Sequence, residues 1–338
     1  MGSPSIDQES FGRLRQLIMG FRLTQLIHVA ARLGLAEHLA ARPQTAAELA
    51  PLVGAAPGPL YRLLRALASV GVFAESTGGV FEMTPMAQLL RGDRPGSLRS
   101  TAMLYGDEVL WDAYGRLSSA VTSGKTAFDH LYGQPFYNYL GRHPATAALF
   151  HEAMTEFSEQ EAAAILAVWD FPAVRTLVDV GGGQGALVAA LLRAHPQLQA
   201  EIFDQSSPAE DARRLFADPA IQARARFVQG DFFASVPEGA DLYVLKSIIH
   251  NWSDAAAVKI LRTCRAAMPP HGRLLLAERV VPPGNEPAEA KLFDINMLVT
   301  AGGQERTEAE YETLLQTAGL EMKRVIPTRS ALSLIEAG

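Results

Sequence analysis

The residues able to do chemistry fall in the second half of the chain, each at or just past the end of an apolar run. Gly181 and Gly183 belong to LVDVGGGQGALVAALL, where four glycines fall within five residues and a helical pattern of apolar residues begins at Ala186. Such a strand, turn and helix start turns bare backbone N–H groups toward a polar or anionic ligand, as a nucleotide offers. Asp204 ends the next apolar run, roughly twenty residues on, where a ribose diol is held in such sites. Asp231 with Phe232 suits an adenine amino group and ring face, and Lys246, His250 and Glu278 close the next two runs. In an open α/β sheet ligands gather at the carboxyl ends of the strands, so these deliveries by five strands describe one site.

The glycine spacing also fits NAD, with Ala186 standing for the third glycine of G-x-G-x-x-G/A. Asp179, two residues before the first glycine, points instead to S-adenosylmethionine (SAM), because a carboxylate there can accept from the ammonium of an amino acid.

These residues need a parallel sheet beneath them. The patterning places strands at 176–182, 200–204, 225–230, 241–247 and 272–281, with helical stretches between, which is a doubly wound α/β sheet. Helices near 288–300 and 307–318 follow, then two short strands, 321–328 and 331–336, close enough to pair antiparallel.

Upstream, residues 10–42 carry helical periodicity with more apolar positions than one buried face needs, and the surplus predicts a partner surface. Thr45 caps a short helix, a Gly/Pro turn leads to a second helix ending at Gly71, and TGGVFEMTP gives a two-stranded wing. Helix, turn, helix and wing is a DNA-binding pattern as well. The reading helix offers only Tyr61, Arg62 and Arg65, however, and no lysine precedes Lys125, so dimerisation or a structural role is the better expectation and no nucleic-acid partner is expected. Residues 97–170 add helical pattern and aromatic side chains, which serve as core or as walls for a flat substrate. HEAMT at 151–155 lacks the second histidine of a zinc motif, since position 155 is Thr. The pattern divides the chain at about residues 100 and 170.

A chain of 338 residues with 48% hydrophobic and 20% charged residues can bury a sizeable core, and its length predicts two domains or one domain with a large appendage. No run approaches the roughly 18 apolar residues of a membrane helix, and MGSPSIDQES shows no basic-then-apolar signal, so a cytoplasmic protein without membrane contact is expected. Cys264, the only cysteine, sits in an apolar helical pattern and reads as a core residue.

DVGGGQG, FDQ, GDFF, LKSIIHNWSD, LLLAERVVP and GGQERT, in this order and at these intervals, resemble the plant-type small-molecule O-methyltransferases and their bacterial relatives of secondary metabolism. The resemblance covers nearly the whole chain. It implies a class I SAM-methyltransferase Rossmann-like fold, with an N-terminal, all-helical, winged-helix-like domain that makes a homodimer. The domains it implies are a winged-helix-like dimerisation domain (1–100), a helical connecting region that contributes to the substrate pocket (101–170) and a SAM-binding catalytic domain (171–338). It implies SAM as cofactor and S-adenosylhomocysteine as product, with Asp179, Gly181, Gly183, Asp204, Gln205, Asp231, Phe232, Lys246 and Ser158 around the cofactor. His250 becomes the general base, flanked by Glu278 and Glu305. Met154, Phe157, Asn251, Trp252 and Met297 would line the site for a small hydroxylated aromatic. FDQSSP replaces the FDLP common in the family, which touches the second ribose contact, and HNW replaces HDW, which puts Asn251 where an acid often stands.

A sulfonium methyl is already activated, so the protein has to align an oxygen with it and take that oxygen's proton. A histidine, with an ordinary pKa near 6.5, is a suitable base. No metal is expected. Three further readings stay open: methyl transfer to nitrogen, reuse of the fold with bound SAM for hydroxylation, decarboxylation or a pericyclic step, and a SAM-sensing regulator.

Overall fold

The computed structural model describes residues 7–170, 173–205 and 217–338; Ser206, Ser207 and Pro208 of FDQSSP lie outside them. The chain forms two compact units, Met1–Asp112 with Pro144–Glu156, and Ala113–His143 with Phe157–Gly338. The expected connecting region, 101–170, is thus split between the two.

In the N-terminal unit the periodic stretch 10–42 is three helices, Gln8–Ile18, Phe21–Arg32 and Leu35–Ala41, with Gly34 left-handed at φ 63° between the last two. Thr45 makes a full capping box with Glu48 on Ala46–Leu49, and the helix Pro57–Ala68 follows. The unit is not all-helical. Strands β2 (Phe73–Ser76) and β3 (Val80–Met83) form the wing, and β1 (Gln44–Thr45) pairs along β3, Gln44 opposite Phe81. Two residues are too few to show alternation, which is why β1 is invisible in the sequence. Leu35, Leu49, Leu64, Leu67, Phe73 and Phe81 form its core. The helix Gln8–Ile18 buries nothing, and its Phe11, Leu14, Leu17 and Ile18 all face outward. Glu156 accepts the N–H groups of Ser100 and Thr101, 2.8 Å each, and Glu152 the Ser100 hydroxyl. The acids near HEAMT therefore cap the helix Arg99–Gly106.

The C-terminal unit holds a seven-stranded sheet: β4 (Thr176–Val180), β5 (Gln199–Asp204), β6 (Ala225–Gln229), β7 (Leu242–Lys246), β8 (Arg273–Glu278), β9 (Met322–Pro327) and β10 (Ser333–Ala337). The spatial order is β6-β5-β4-β7-β8-β10-β9; β6 to β8 run parallel, and β10 is antiparallel to both its neighbours. Leu242 to Leu245 are all buried, as a strand covered on both faces demands. The chain steps outward from β4 to β5 and β6, then returns to the other side of β4 for β7. That reversal opens a crevice between the carboxyl ends of β4 and β7, where doubly wound sheets bind ligands. Cys264 is buried in the core, and burial pushes its thiol up to about 12, so it stays a protonated packing group.

Candidate active site

β7 delivers Lys246, and Ser247 then turns the chain with a left-handed φ of 54°. That conformation costs a non-glycine residue about 1–3 kcal/mol and persists only where its surroundings hold it. Here they do. Glu278 Oε1 accepts the N–H groups of Ile248 and Ile249 at 2.9 and 2.7 Å, and the Asn251 amide donates to the Ser247 carbonyl at 3.0 Å. Gln304 N donates to the His250 carbonyl, and the fully buried Arg306 donates to the carbonyls of Ile249 and Trp252 at 3.2 and 2.7 Å. Gly303 packs so closely that a β-carbon there would stand 1.9 Å from the His250 carbonyl oxygen.

The clamped turn carries His250, 5% exposed. Its Nδ1 lies 2.7 Å from Glu305 Oε1 and 3.8 Å from Glu278 Oε2. The expected arrangement, a carboxylate on either side of the ring, is not what forms: both acids face one nitrogen. Nδ1–H donates to Glu305, which leaves the Nε2 lone pair to accept a proton. Burial opposes a charge on the imidazole, but the Glu278 carboxylate and the Glu305 hydrogen bond outweigh it, and the histidine's pKa is raised. Burial likewise raises Glu278, against the pull of His250. The Phe293 ring lies parallel to the imidazole, 8° and 6.1 Å away, and the Arg279 guanidinium sits 3.8 Å from that ring's centre.

On the β4 side, Asp179 is 2% exposed and accepts no hydrogen bond among the described residues. Burial raises its pKa to about 7, with Lys246 pulling it down and Asp204 adding to the rise. A buried carboxylate in this condition fits a cationic ligand such as the ammonium of SAM. Gly183, at φ 55°, has open space where a β-carbon would be, and its N–H donates to Asp204 Oδ2 at 3.0 Å. A β-carbon on Gly181 would meet Ile248 at 2.4 Å, so that glycine lets the turn that carries His250 pack against β4. Asp231 accepts from Phe233 N and from the Gln205 amide.

Other expected residues sit differently. The Lys246 ammonium is paired with Glu161 at 2.9 Å, and Glu161 also lies 3.7 Å from Arg279. Trp252 stands edge-on to Phe233 (4.8 Å) and Phe232 (6.0 Å), on the side of the proposed adenine wall. Asn251 spends both ends on the protein, since its Oδ1 accepts the Tyr137 hydroxyl at 3.1 Å. Met297 is buried; Phe157 and Ser158 are half-buried, and Met154 belongs to the N-terminal unit. Glu161, Arg279, Phe293 and Arg306 were missed by sequence reasoning. Arg279 and Arg306 had a signal, lying beside Glu278 in LLLAERVVP and beside Glu305 in GGQERT. No metal-ligand set was expected either, yet His250, Glu278 and Glu305 bring donor atoms within 4.8 Å of one another.

Comparison with known proteins decides the family. Residues 114–321 match the O-methyltransferase domain and residues 15–93 the O-methyltransferase dimerisation domain. The chain belongs to the O-methyltransferase family. It is 41% identical to the phenazine O-methyltransferase of Lysobacter antibioticus over 96% of this chain and 95% of that one. A solved O-methyltransferase of neocarzinostatin biosynthesis, in complex with SAM and 2-hydroxy-5-methyl naphthoic acid, superposes with a TM-score of 0.78 at 36% identity, over 93% of this chain and 95% of that one. The aclacinomycin 10-hydroxylase of Streptomyces purpurascens is also 36% identical, over 88% of this chain and 80% of that one. No helix among the described residues is long and apolar enough to cross a membrane.

Proposed function

We propose that this O-methyltransferase moves a methyl group from SAM to a phenolic hydroxyl of a small aromatic secondary metabolite, as a cytoplasmic homodimer, with His250 as general base. The observation that carries the reading is the His250 ring, its Nδ1 held by Glu305 and its Nε2 left to take a proton, on a turn that also packs against the glycine loop. SAM supplies the electrophilic methyl. Asp179 holds its ammonium, Asp204 its ribose, and Asp231 and Phe232 its adenine. Glu305 fixes the imidazole tautomer, and with Glu278 it stabilises the imidazolium formed when the acceptor is deprotonated.

The hydroxylase among the relatives gives a second reading, reuse of the fold with SAM retained, and the N-acceptor reading stands beside it. A methyl-transfer assay over hydroxylated and amino-substituted aromatics separates them. Labelled methyl is expected on oxygen, and tight SAM binding without transfer to any acceptor would favour reuse.

Asp179 sets a pH dependence on cofactor binding. Its carboxyl must be ionised to hold an ammonium and is protonated below about pH 7 in the free protein, so SAM affinity is expected to fall about tenfold from pH 8 to pH 6. Calorimetry checks this, and Asp179→Asn should be both weaker and flat over the same range.

The outward apolar face of Gln8–Ile18 supports a homodimer. Light scattering at micromolar concentration is expected to give twice the chain mass. Phe11→Glu with Leu14→Glu should shift it toward monomer.

A further inference from the structure

Two atoms of the site stand out because the proposed base chemistry leaves them idle. Glu278 Oε2 and Glu305 Oε2 are buried with no hydrogen-bond partner, on side chains that are themselves wholly enclosed. A buried anionic oxygen left unpaired costs free energy, and in native structures it marks a place for a proton, a water or a cation. Both belong to carboxylates that face the same atom, His250 Nδ1, and the three groups offer one nitrogen and two oxygen donors within 4.8 Å of one another.

We propose that His250, Glu278 and Glu305 form a binding site for one zinc-class divalent cation, and that its binding switches methyl transfer off. The first argument is distance. Ligand atoms about 2.0–2.2 Å from a tetrahedral zinc stand roughly 3.3–3.6 Å apart. The two separations from Nδ1 here, 2.7 Å to Glu305 and 3.8 Å to Glu278, straddle that span. The second is charge: two carboxylates and a dication make a neutral buried cluster, whereas the metal-free carboxylates crowd each other. The third is donor type. One imidazole nitrogen with two carboxylates suits zinc or cobalt; magnesium demands octahedral oxygen and keeps its waters.

The effect on chemistry follows from the tautomer, and this part rests on His250 being the base. In the metal-free site the proton sits on Nδ1, shared with Glu305, and Nε2 presents a lone pair. A cation on Nδ1 takes the lone pair there, so a neutral ring must carry its proton on Nε2; a ring that began as imidazolium releases its Nδ1 proton to solvent. Either way Nε2 becomes a donor and can no longer accept the acceptor's proton. The same cation also takes Glu305 away from its orienting bond.

The test uses the full-length dimeric protein, dialysed against chelator and titrated with cobalt(II) alone. The parent is expected to bind one equivalent per chain with the visible absorption of a low-coordinate cobalt centre. Glu278→Gln and Glu305→Gln should each weaken it on the order of 10–100-fold or more. X-ray absorption of the parent at one equivalent of zinc is expected to show a single imidazole ligand, a readout that stands even where a variant fails to fold. Zinc should abolish methyl transfer in step with occupancy, and chelator should restore it. The site is overturned by no cobalt band, by a band unchanged in both Gln variants, or by two or more imidazoles around zinc. The switch is overturned by undiminished methyl transfer at full occupancy. Full methyl transfer by a folded His250→Ala protein would remove the base reading, and the switch with it, while the cobalt spectrum of the parent still decides the site.

Discussion

His250→Ala is expected to lower kcat by about 10²–10⁴-fold while leaving SAM affinity within about twofold of the parent's, because proton removal belongs to the transition state and the residues proposed to hold SAM, Asp179, Asp204, Asp231 and Phe232, lie outside this turn. Glu305→Gln should cost less, since an amide still accepts from Nδ1–H but no longer balances the imidazolium. The same geometry sets the pH profile. Only the neutral ring can accept a proton, and Glu278 and Glu305 raise the pKa of His250 against the effect of burial. Activity should therefore be full at high pH and fall as pH drops through a value above the usual histidine range. Because the His250 and Glu278 charges act directly on each other, that apparent value belongs to the pair. Glu305→Gln removes one of the two stabilising charges, so the profile should move to lower pH. Two outcomes would sink the base role: full turnover by a folded His250→Ala protein, or a loss no larger than its loss of SAM binding or stability.

Part of this arrangement could be read from the amino acids alone, for a physical reason. Strands covered on both faces leave apolar runs of readable length, and a doubly wound sheet brings whatever follows each run to one crevice. Asp204, Asp231, Lys246, His250 and Glu278 were legible because each ends or follows such a run, and Asp179 because it is the one acid inside the run that meets the glycines. Glu305 needed the resemblance of GGQERT, since no strand delivers it. What stayed hidden depends on partners far apart in sequence. Glu161 sits mid-helix among alanines, and nothing there announces that Lys246, 85 positions on, will need its carboxylate. Asn251 looked like a substrate group because a family acid was missing; its amide instead donates to Ser247, which a carboxylate cannot do. The flanking geometry failed for a similar reason. Spacing puts two acids near a histidine, but only the turn that Glu278 caps decides which ring nitrogen they share.

Arg306→Ala is expected to destabilise the protein by about 3–5 kcal/mol. The side chain is fully buried, and its guanidinium holds the carbonyls of Ile249 and Trp252 on either side of His250 while also reaching Asp254 Oδ1 at 2.8 Å. Removing it strands two carbonyls inside the turn and opens a cavity behind His250. The Asp254 side chain, by contrast, is 66% exposed, so its ion pair is screened by water and adds little. Asp254→Asn should accordingly cost less than about 1 kcal/mol. Arg306→Lys should recover only part of the loss, because an ammonium cannot reach both carbonyls in the plane that a guanidinium spans. Urea unfolding of the three variants, compared at equal slope, separates these effects. If Asp254→Asn costs as much as Arg306→Ala, the ion pair rather than the carbonyl clamp holds the turn. If Arg306→Ala unfolds like the parent yet loses kcat, the arginine positions His250 without stabilising the fold.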